Sequence, residues 1–421
     1  MLKLSAILTC LLIAGLFTQS SFATNGYSPT GFGTINKGLA GAGVALPQDT
    51  LAAATNPAGM ALVGHRWDAG AAIFSPSDRG FTANTDGGAI TPGNYVSDND
   101  LFLVPHLGWN RQLTDTSTVG ISVGGNGGMN TEYDSPVFAN FAAPGVATAP
   151  TGVNFAQLFV GVTYAQEISE NHWLGVMPIL AVQQFEATGL EPFNGFSTLP
   201  GKVSNNGKDT STGYGIRFGW LGQINDQLTL GTSYQSRLHM SKFDDYAGLF
   251  AEQGDFDTPS TLVFGLAYKA LPDLTLVLDI QRINYGEVNS LGNSNTLPLS
   301  DPDNHLGADG GLGFGWKDQD ILKLGVQWVF DSRLTLRAGY SHATELFAGG
   351  QALFNILAPA TIRDHISLGS SYQYNKHNEI NASYTLALEE TVSGSSPFTG
   401  TQTGSVQMQQ WELEVSWSHR F

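Results

Sequence analysis

The feature that most constrains this chain is an alternation that continues to its last residue. In WELEVSWSHRF, Trp411 to Phe421, Trp411, Leu413, Val415 and Trp417 share one parity, and Glu412, Glu414, Ser416 and Ser418 share the other. Successive side chains of a strand point to opposite faces, so this segment reads as a strand with one apolar and one polar face. Chain ends normally fray in water, so a strand that ends this way must be paired on both edges. The same pattern recurs upstream. YGIRFGWLGQI sets Tyr214, Ile216, Phe218 and Trp220 against Gly215, Arg217 and Gly219. LTLGTSYQSRLHM sets Leu228, Leu230, Tyr234, Leu238 and Met240 against Ser233, Gln235, Arg237 and His239.

Fourteen such segments are expected, near 66–75, 100–113, 116–129, 153–168, 172–187, 212–224, 227–240, 260–270, 273–285, 319–330, 333–343, 363–374, 378–389 and 406–421. Each is about ten residues or more, the reach a tilted membrane strand needs. Their connections alternate between short turns (114–115, 169–171, 225–226, 271–272, 331–332 and 375–377) and segments of roughly 16 to 33 residues. That rhythm is typical of outer-membrane barrels, whose short turns face the periplasm. An even strand number then puts both termini in the periplasm. Phe421 would sit at that interface, with Trp417, Trp220 and Tyr340 in the aromatic girdles.

The N-terminus says how such a chain would reach a membrane. Lys3, the apolar run Leu4–Phe17 and the small residues of Ser21–Ala23 form an export signal, with cleavage expected after Ala23. The single cysteine, Cys10, lies inside that signal, so disulfides and cysteine-bound metals are not expected in the mature chain. Losing Lys3 moves the formal charge from −17 to −18; so acidic a chain is a poor partner for nucleic acid. Only 13% of residues are charged, and there are 51 glycines and 24 phenylalanines. No stretch after the signal reaches the roughly 18 apolar residues of a membrane helix. The fold class that remains is all-β: a closed, 14-stranded antiparallel transmembrane barrel.

Residues 24–65 do not alternate. They are rich in Gly and Ala, broken by Pro29, Pro47 and Pro57, and too apolar at DTLAAATNPAGMALV for a solvated tail. Small residues suit backbone folded tightly in a narrow space, so the segment is expected to plug the lumen. The division is therefore a signal at 1–23, a plug at 24–65 and a barrel at 66–421.

The plug resembles the N-terminal hatch of the FadL/TodX family of outer-membrane transporters, through Asn56-Pro57-Ala58-Gly59. The resemblance continues in GNGGMNTEY (Gly125–Tyr133), DDYAGLFAEQGDFDTP (Asp244–Pro259) and ILAPATIRDHISLGSSYQY (Ile356–Tyr374). It implies facilitated uptake of hydrophobic compounds, long-chain fatty acids first and aromatic hydrocarbons as the alternative. The ligand would meet an apolar groove of outer loops, enter a lumen pocket, shift the hatch and leave sideways beside a kinked third strand. On this reading the gating residues are Asn56, Pro57, Ala58 and Gly59 with Gly124, Gly125, Gly127 and Gly128 of the third strand. Glycines inside a strand mark a bulge or a close backbone approach; simple barrel curvature is the plainer explanation.

The groove would be built from Leu190, Phe193 and Phe196 facing Tyr246, Leu249 and Phe250. The latter three share one face if Asp244 caps a short helix that Gly254 ends; packing on the rim would also explain them. A carboxylate would need a lumen cation, and parity offers Arg217, Arg237, Lys323, Arg337 and Lys269. Each could instead pair with Asp279, Glu412 or Glu414, or tie down the hatch. No HExxH, dinucleotide fingerprint or strand-borne Ser/His pair supports an enzyme, and no cofactor is expected. The expected partners are the hydrophobic ligand, outer-membrane lipid and the barrel assembly machinery acting through Phe421, with the chain a monomer. A general porin or a purely structural barrel is the rival, and the plug and apolar loops count against both.

Overall fold

A computed structural model describes residues 25–84, 88, 90–144, 146, 148–352, 354–395 and 402–421. The expected signal, with Cys10, and Thr24 lie outside the described residues. Fourteen long strands build the wall: β1 (Arg66–Ser75), β2 (Phe102–Thr114), β3 (Ser117–Glu132), β4 (Gly152–Ser169), β5 (His172–Thr188), β6 (Asp209–Gln223), β7 (Leu228–Gln235), β8 (Thr261–Leu271), β9 (Leu274–Ile283), β10 (Gln319–Val329), β11 (Leu334–Ala343), β12 (Asp364–Gln373), β13 (Asn378–Ser395) and β14 (Thr403–Arg420). Neighbours pair antiparallel, and β1 pairs with β14 from Arg66↔Arg420 to Ser75↔Trp411, which closes the barrel. The final strand is therefore held on both edges. Even Phe421 is tied, its N–H donating to the His65 carbonyl at 3.1 Å and its ring stacked on His65 at 4.3 Å.

Burial is inverted relative to a soluble sheet. Val415 is 49% exposed while Glu414 is 1% exposed, so the apolar parity faces outward and the polar parity inward. That is the arrangement of a wall solvated by lipid.

Two boundaries depart from the alternation. β7 stops at Gln235 rather than 240, because the Ser236 hydroxyl takes the Ile216 N–H and Leu238 pairs across to Thr258. Leu238 and Met240 consequently turn inward and are buried, the reverse of their expected parity. At the opposite side, β13 and β14 run beyond the wall and are joined by a short hairpin, Gly80–Ala83 with Gly93–Val96, that pairs onto Gly404–Gln407.

The lumen is filled by residues 25–65, folded as tight turns. Thr34–Lys37 makes one helical turn, and Thr50–Ala54 and Pro57–Ala61 make 3₁₀ turns. Asp49 caps the first 3₁₀ turn through the N–H groups of Leu51 and Ala52, and Asn56 caps the second through Ala58, with proline at its first position. What lets this backbone reach the wall is a belt of inward-facing glycines. A Cβ on Gly175 would lie 2.2 Å from the Ala58 nitrogen, one on Gly231 2.4 Å from the Val44 oxygen, and one on Gly339 2.2 Å from the Leu39 carbonyl carbon. Gly231 pairs directly with Gly265, and Gly325 with Gly339, so the belt comes from strand register as well as composition.

Candidate functional site

Asn56 stands at the centre of the hatch's seat. Its amide nitrogen donates to the Val44 carbonyl at 2.8 Å and to the Trp220 carbonyl of β6 at 2.9 Å, while its oxygen accepts from Ala58. Asn56, Pro57, Ala58 and Gly59 are all buried. Inward-facing acids supply the other seats. Asp279 accepts from the N–H groups of Gly43 (2.7 Å) and Val44 (2.9 Å), and Asp68 from both N–H and hydroxyl of Thr50. Lys37 lies 2.6 Å from both Glu412 and Glu414; the hydroxyl of Thr34 also donates to Glu414. Burial alone would lower the Lys37 pKa, but the two carboxylates outweigh it and hold it above the ordinary lysine range. Nothing in the sequence pattern singles out Lys37: it is one basic residue in a run of small ones.

Strand β3 is where the wall is incomplete. Its ladder with β2 runs from Thr114↔Ser117 to His106↔Gly124 and ends there, next to Pro105, which has no N–H to donate. Beyond that point β3 pairs only with β4, with its register broken between Gly125 and Gly127 and Asn126 bulged. Asn126 turns its amide onto Gln157 at 2.6 Å. Inside the gap, the Gly128 N–H donates to the Tyr27 carbonyl of the hatch at 3.2 Å. Ala72, Phe74, Phe102 and Val104 form a small buried apolar cluster on the β1–β2 side. The far end is tied off by residues 97–98: Ser97 accepts from the Glu132 N–H, and Asp98 donates to the Glu132 carbonyl, both at 3.0 Å. Gly124 itself is loosely surrounded, and a Cβ there would meet only His106 at 3.7 Å.

The long-loop end carries an apolar core. Tyr246, Leu249 and Phe250 are buried, as are Leu190 and Phe193, and Phe196 is half-buried. Phe185 meets Tyr246 at 4.8 Å and Phe250 at 4.7 Å. The Ser197 hydroxyl donates to the Gly248 carbonyl, so the two loops are joined face to face. Phe141 and Phe196, stacked at 5.3 Å, leave an apolar rim with the exposed Leu199.

The capped helix expected at 244–254 is absent. Asp244 makes no cap, and Glu252 (φ 54°), Gln253 (φ 55°) and Gly254 (φ 101°) form a left-handed turn instead. Left-handed backbone costs a non-glycine residue roughly 1–2 kcal/mol. Here it is held by the carbonyls of Ala308 and Gly307, which accept the N–H groups of Glu252 and Gln253.

Four of the five candidate carboxylate-binding cations have other partners. Arg217 donates to the Ala54 carbonyl and to Gln235. Lys323 donates to the Thr30 carbonyl at 2.7 Å, and Arg337 to Gln327, Ser371 and Gln48. Arg237 lies past the end of β7 and pairs with Asp257 (2.7 Å) and Asp255 (3.2 Å). Burial, with Asp257 adding repulsion, pushes the Asp255 carboxyl up to about 6 although Arg237 opposes it. Lys269 is exposed. Between Arg217, Lys323 and the hatch there is a cavity of about 40 Å³, room for a water or two.

An inverted barrel, a plug seated by side chains on many strands and one strand partly unpaired from its neighbour define a plugged transmembrane barrel. The chain belongs to the outer membrane protein transport protein family (OMPP1/FadL/TodX), whose model matches residues 10–418. It is thereby an outer-membrane transporter of hydrophobic substrates. Among solved structures, it is similar to the Pseudomonas putida toluene transporter TodX (19% identity, 93% of this chain and 99% of that one, TM-score 0.67). It is also similar to a Pseudomonas aeruginosa FadL homologue (15%, 94% and 100%, TM-score 0.68) and the Ralstonia pickettii toluene transporter TbuX (16%, 93% and 99%, TM-score 0.64). At these identities the likeness shows the fold. Among curated proteins none matches.

Proposed function

We propose that the protein takes up hydrophobic compounds by facilitated diffusion, admitting them between its apolar outer loops and releasing them sideways at β3. The observation that carries this reading is the gap itself: from Gly125 to Glu132 the strand has lost β2 and one of its free N–H groups is held by the plug. A ligand that binds better when that contact is broken shifts the population toward an open wall. Exit into lipid spares an apolar molecule the polar surface of the membrane. Phe141, Phe196 and Leu199 would be met first, then the faces of Leu190, Phe193, Tyr246, Leu249 and Phe250. Asn56 to Gly59 would keep the lumen closed to water while Gly124, Gly125, Gly127 and Gly128 serve the exit.

Long-chain fatty acids fit this route if a carboxylate exchanges with one of the hatch bonds of Arg217, Lys323 or Arg337, or with the acids on Arg237. Aromatic hydrocarbons fit it without any such exchange, and two of the similar structures are described as toluene transporters. In the same reading the signal is removed after Ala23, the short turns and both termini face the periplasm, Phe421 is presented to the assembly machinery, and one chain suffices. Deleting Asn126 tests the exit. Without the bulged residue β3 regains a continuous register, so uptake of labelled oleate and toluene falls while the folded barrel persists. Uptake at the wild-type rate from a folded deletion variant would refute exit at β3.

A further inference from the structure

The outward face of the wall changes character at the long-loop end of β3, β4 and β5. On β5 the outward residues run Leu180, Val182, Gln184, Glu186 and Thr188, and the first two are 64% and 40% exposed. The apolar band that lipid covers therefore ends within this strand. Past that border the register aligns Asn130, Asn154 and Glu186 in one row and Glu132, Gly152 and Thr188 in the next. Neighbours within such a row stand about 5 Å apart. Gly152 leaves the second row without a central side chain, and a Cβ there would lie 2.6 Å from the Thr131 carbonyl oxygen. The result is an outward-facing polar pit of about 220 Å³, with Asn99 also in its lining.

The pit calls for a ligand that both donates and accepts. Asn130 is 3% exposed, and neither its amide nitrogen nor its amide oxygen has a partner. Leaving both ends of a buried amide unmet is costly, and the register turns this one toward the pit beside Asn154. Ionised Glu132 and Glu186 can only accept, and no basic side chain lines the pit. At its edge Asp98 and Asp100 flank Asn99, and Asp134 raises the Asp98 pKa through a hydrogen bond and its charge. A phosphate or carboxylate would meet like charge here. A bare metal ion fits no better: among the described residues no three acids converge to hold one, and an ion would leave the Asn130 N–H unmet. An acyl chain would bury the acids against carbon. Neighbouring hydroxyls on one ring meet every demand. They donate to Glu132 and Glu186 in charge-assisted bonds, while one accepts from the Asn130 nitrogen and another donates to its oxygen.

We infer that this pit seats the uncharged sugar ring of a membrane glycolipid whose chains lie along the apolar outer face of β4 and β5. Its volume suits a single ring, being below the roughly 300–1,000 Å³ of sites for drug-sized molecules. The lipid attachment follows from position, because the pit opens on the membrane side of the wall, where Val162, Leu180 and Val182 are exposed on the same faces. Phe155 and Phe185, which alternate with the pit residues along β4 and β5, point the other way into the buried loop core. The seat is therefore separate from the lumen, and a glycolipid held there braces β3, β4 and β5 from the membrane side.

The test is native mass spectrometry of the full chain released from micelles, with monogalactosyl diacylglycerol and diacylglycerol of the same chains as competing lipids and EDTA present. The sugar should raise affinity about tenfold, the net worth of one charge-assisted hydrogen bond. Asn130→Leu replaces the unmet polar atoms by carbon of similar size and should bring the two lipids within about threefold of each other. Glu186→Ala, at a half-buried position that guards against misfolding, should do the same. Equal affinity of the two lipids for wild type, or a tenfold preference that survives in both folded variants, overturns the inference. Displacement of the glycolipid by an equal concentration of methyl galactoside overturns it in favour of a free sugar. A preference that appears only when calcium replaces EDTA overturns it in favour of a cation.

Discussion

Gly175 gives the sharpest view of how the plug is seated. On β5 it faces inward between Ala165 and Gly219, so the strand itself accepts an alanine. The hatch does not. The added methyl would lie 2.2 Å from the Ala58 nitrogen, 2.3 Å from the Pro57 carbonyl carbon and 2.6 Å from the Pro57 oxygen. Ordinary contact begins at about 3.5 Å, and all three neighbours are backbone, so wall and hatch must separate by about an ångström. Overpacking of this kind costs about 1–3 kcal/mol. The cost falls only on the seated state, so Gly175→Ala should lower the seated-to-unseated ratio about 5- to 150-fold. Conductance of the purified protein in planar bilayers reads this directly: wild type should be mostly closed, and the variant should show frequent openings. Gly350→Ala is the control, because its methyl meets no atom within 4 Å and should leave conductance unchanged. Equal conductance in Gly175→Ala and wild type, or the same rise in both variants, would refute the reasoning.

Asn56→Ala strands the Val44 carbonyl, the Trp220 carbonyl and the Ala58 N–H. Unmet buried groups at about 1–3 kcal/mol each, partly relieved by relaxation, put the loss near 2–4 kcal/mol, to be read as leak of a small sugar into liposomes. Lys37→Met leaves Glu412 and Glu414 buried without their cation. Removing one partner of a buried pair costs about 3–5 kcal/mol, so the plug should unseat at neutral pH, and adding Glu412→Gln and Glu414→Gln should restore closure. Asp255, with its pKa raised to about 6, contributes stability that is complete below its unfolded value and is lost as pH rises through 6. Protection factors of the amides in residues 243–259, taken relative to the intrinsic exchange rate at each pH, should therefore be higher at pH 5 than at pH 7.5, and Asp255→Asn should abolish the difference.

The wall was legible because lipid demands period two over about ten residues, and its parity correctly put Glu412, Glu414 and Arg217 inside. The plug was legible from small, non-alternating composition. What alternation cannot see is where a strand stops pairing: LTLGTSYQSRLHM keeps its period past Gln235, although Leu238 has left the ladder for Thr258. The 244–254 loop was misread for a related reason. Asp244 and Gly254 make a local helix signal, but Ala308 and Gly307, far off in sequence, hold the backbone left-handed. GGNGG announced a bulge, yet a bulge alone leaves the wall closed; the gap also needs Pro105 across from it. Lys37 and the glycine belt carry no local signature at all, since a lone lysine or glycine means nothing until register sets it against Glu414 or Leu39. Arg217, Lys323 and Arg337 were placed on the right face, whereas Arg237 lies past the end of β7 and Lys269 is exposed; the bonds of the first three to the hatch depend on how residues 25–65 thread the barrel.

The most direct test of a plugged conduit for apolar molecules is uptake by cells in which this is the only such transporter. Labelled toluene, oleate and a small sugar would be supplied side by side. The account predicts entry of a hydrophobic compound well above the rate in cells lacking the protein, with the sugar excluded. Free passage of the sugar with no gain for toluene or oleate would contradict it and leave an open, water-filled pore.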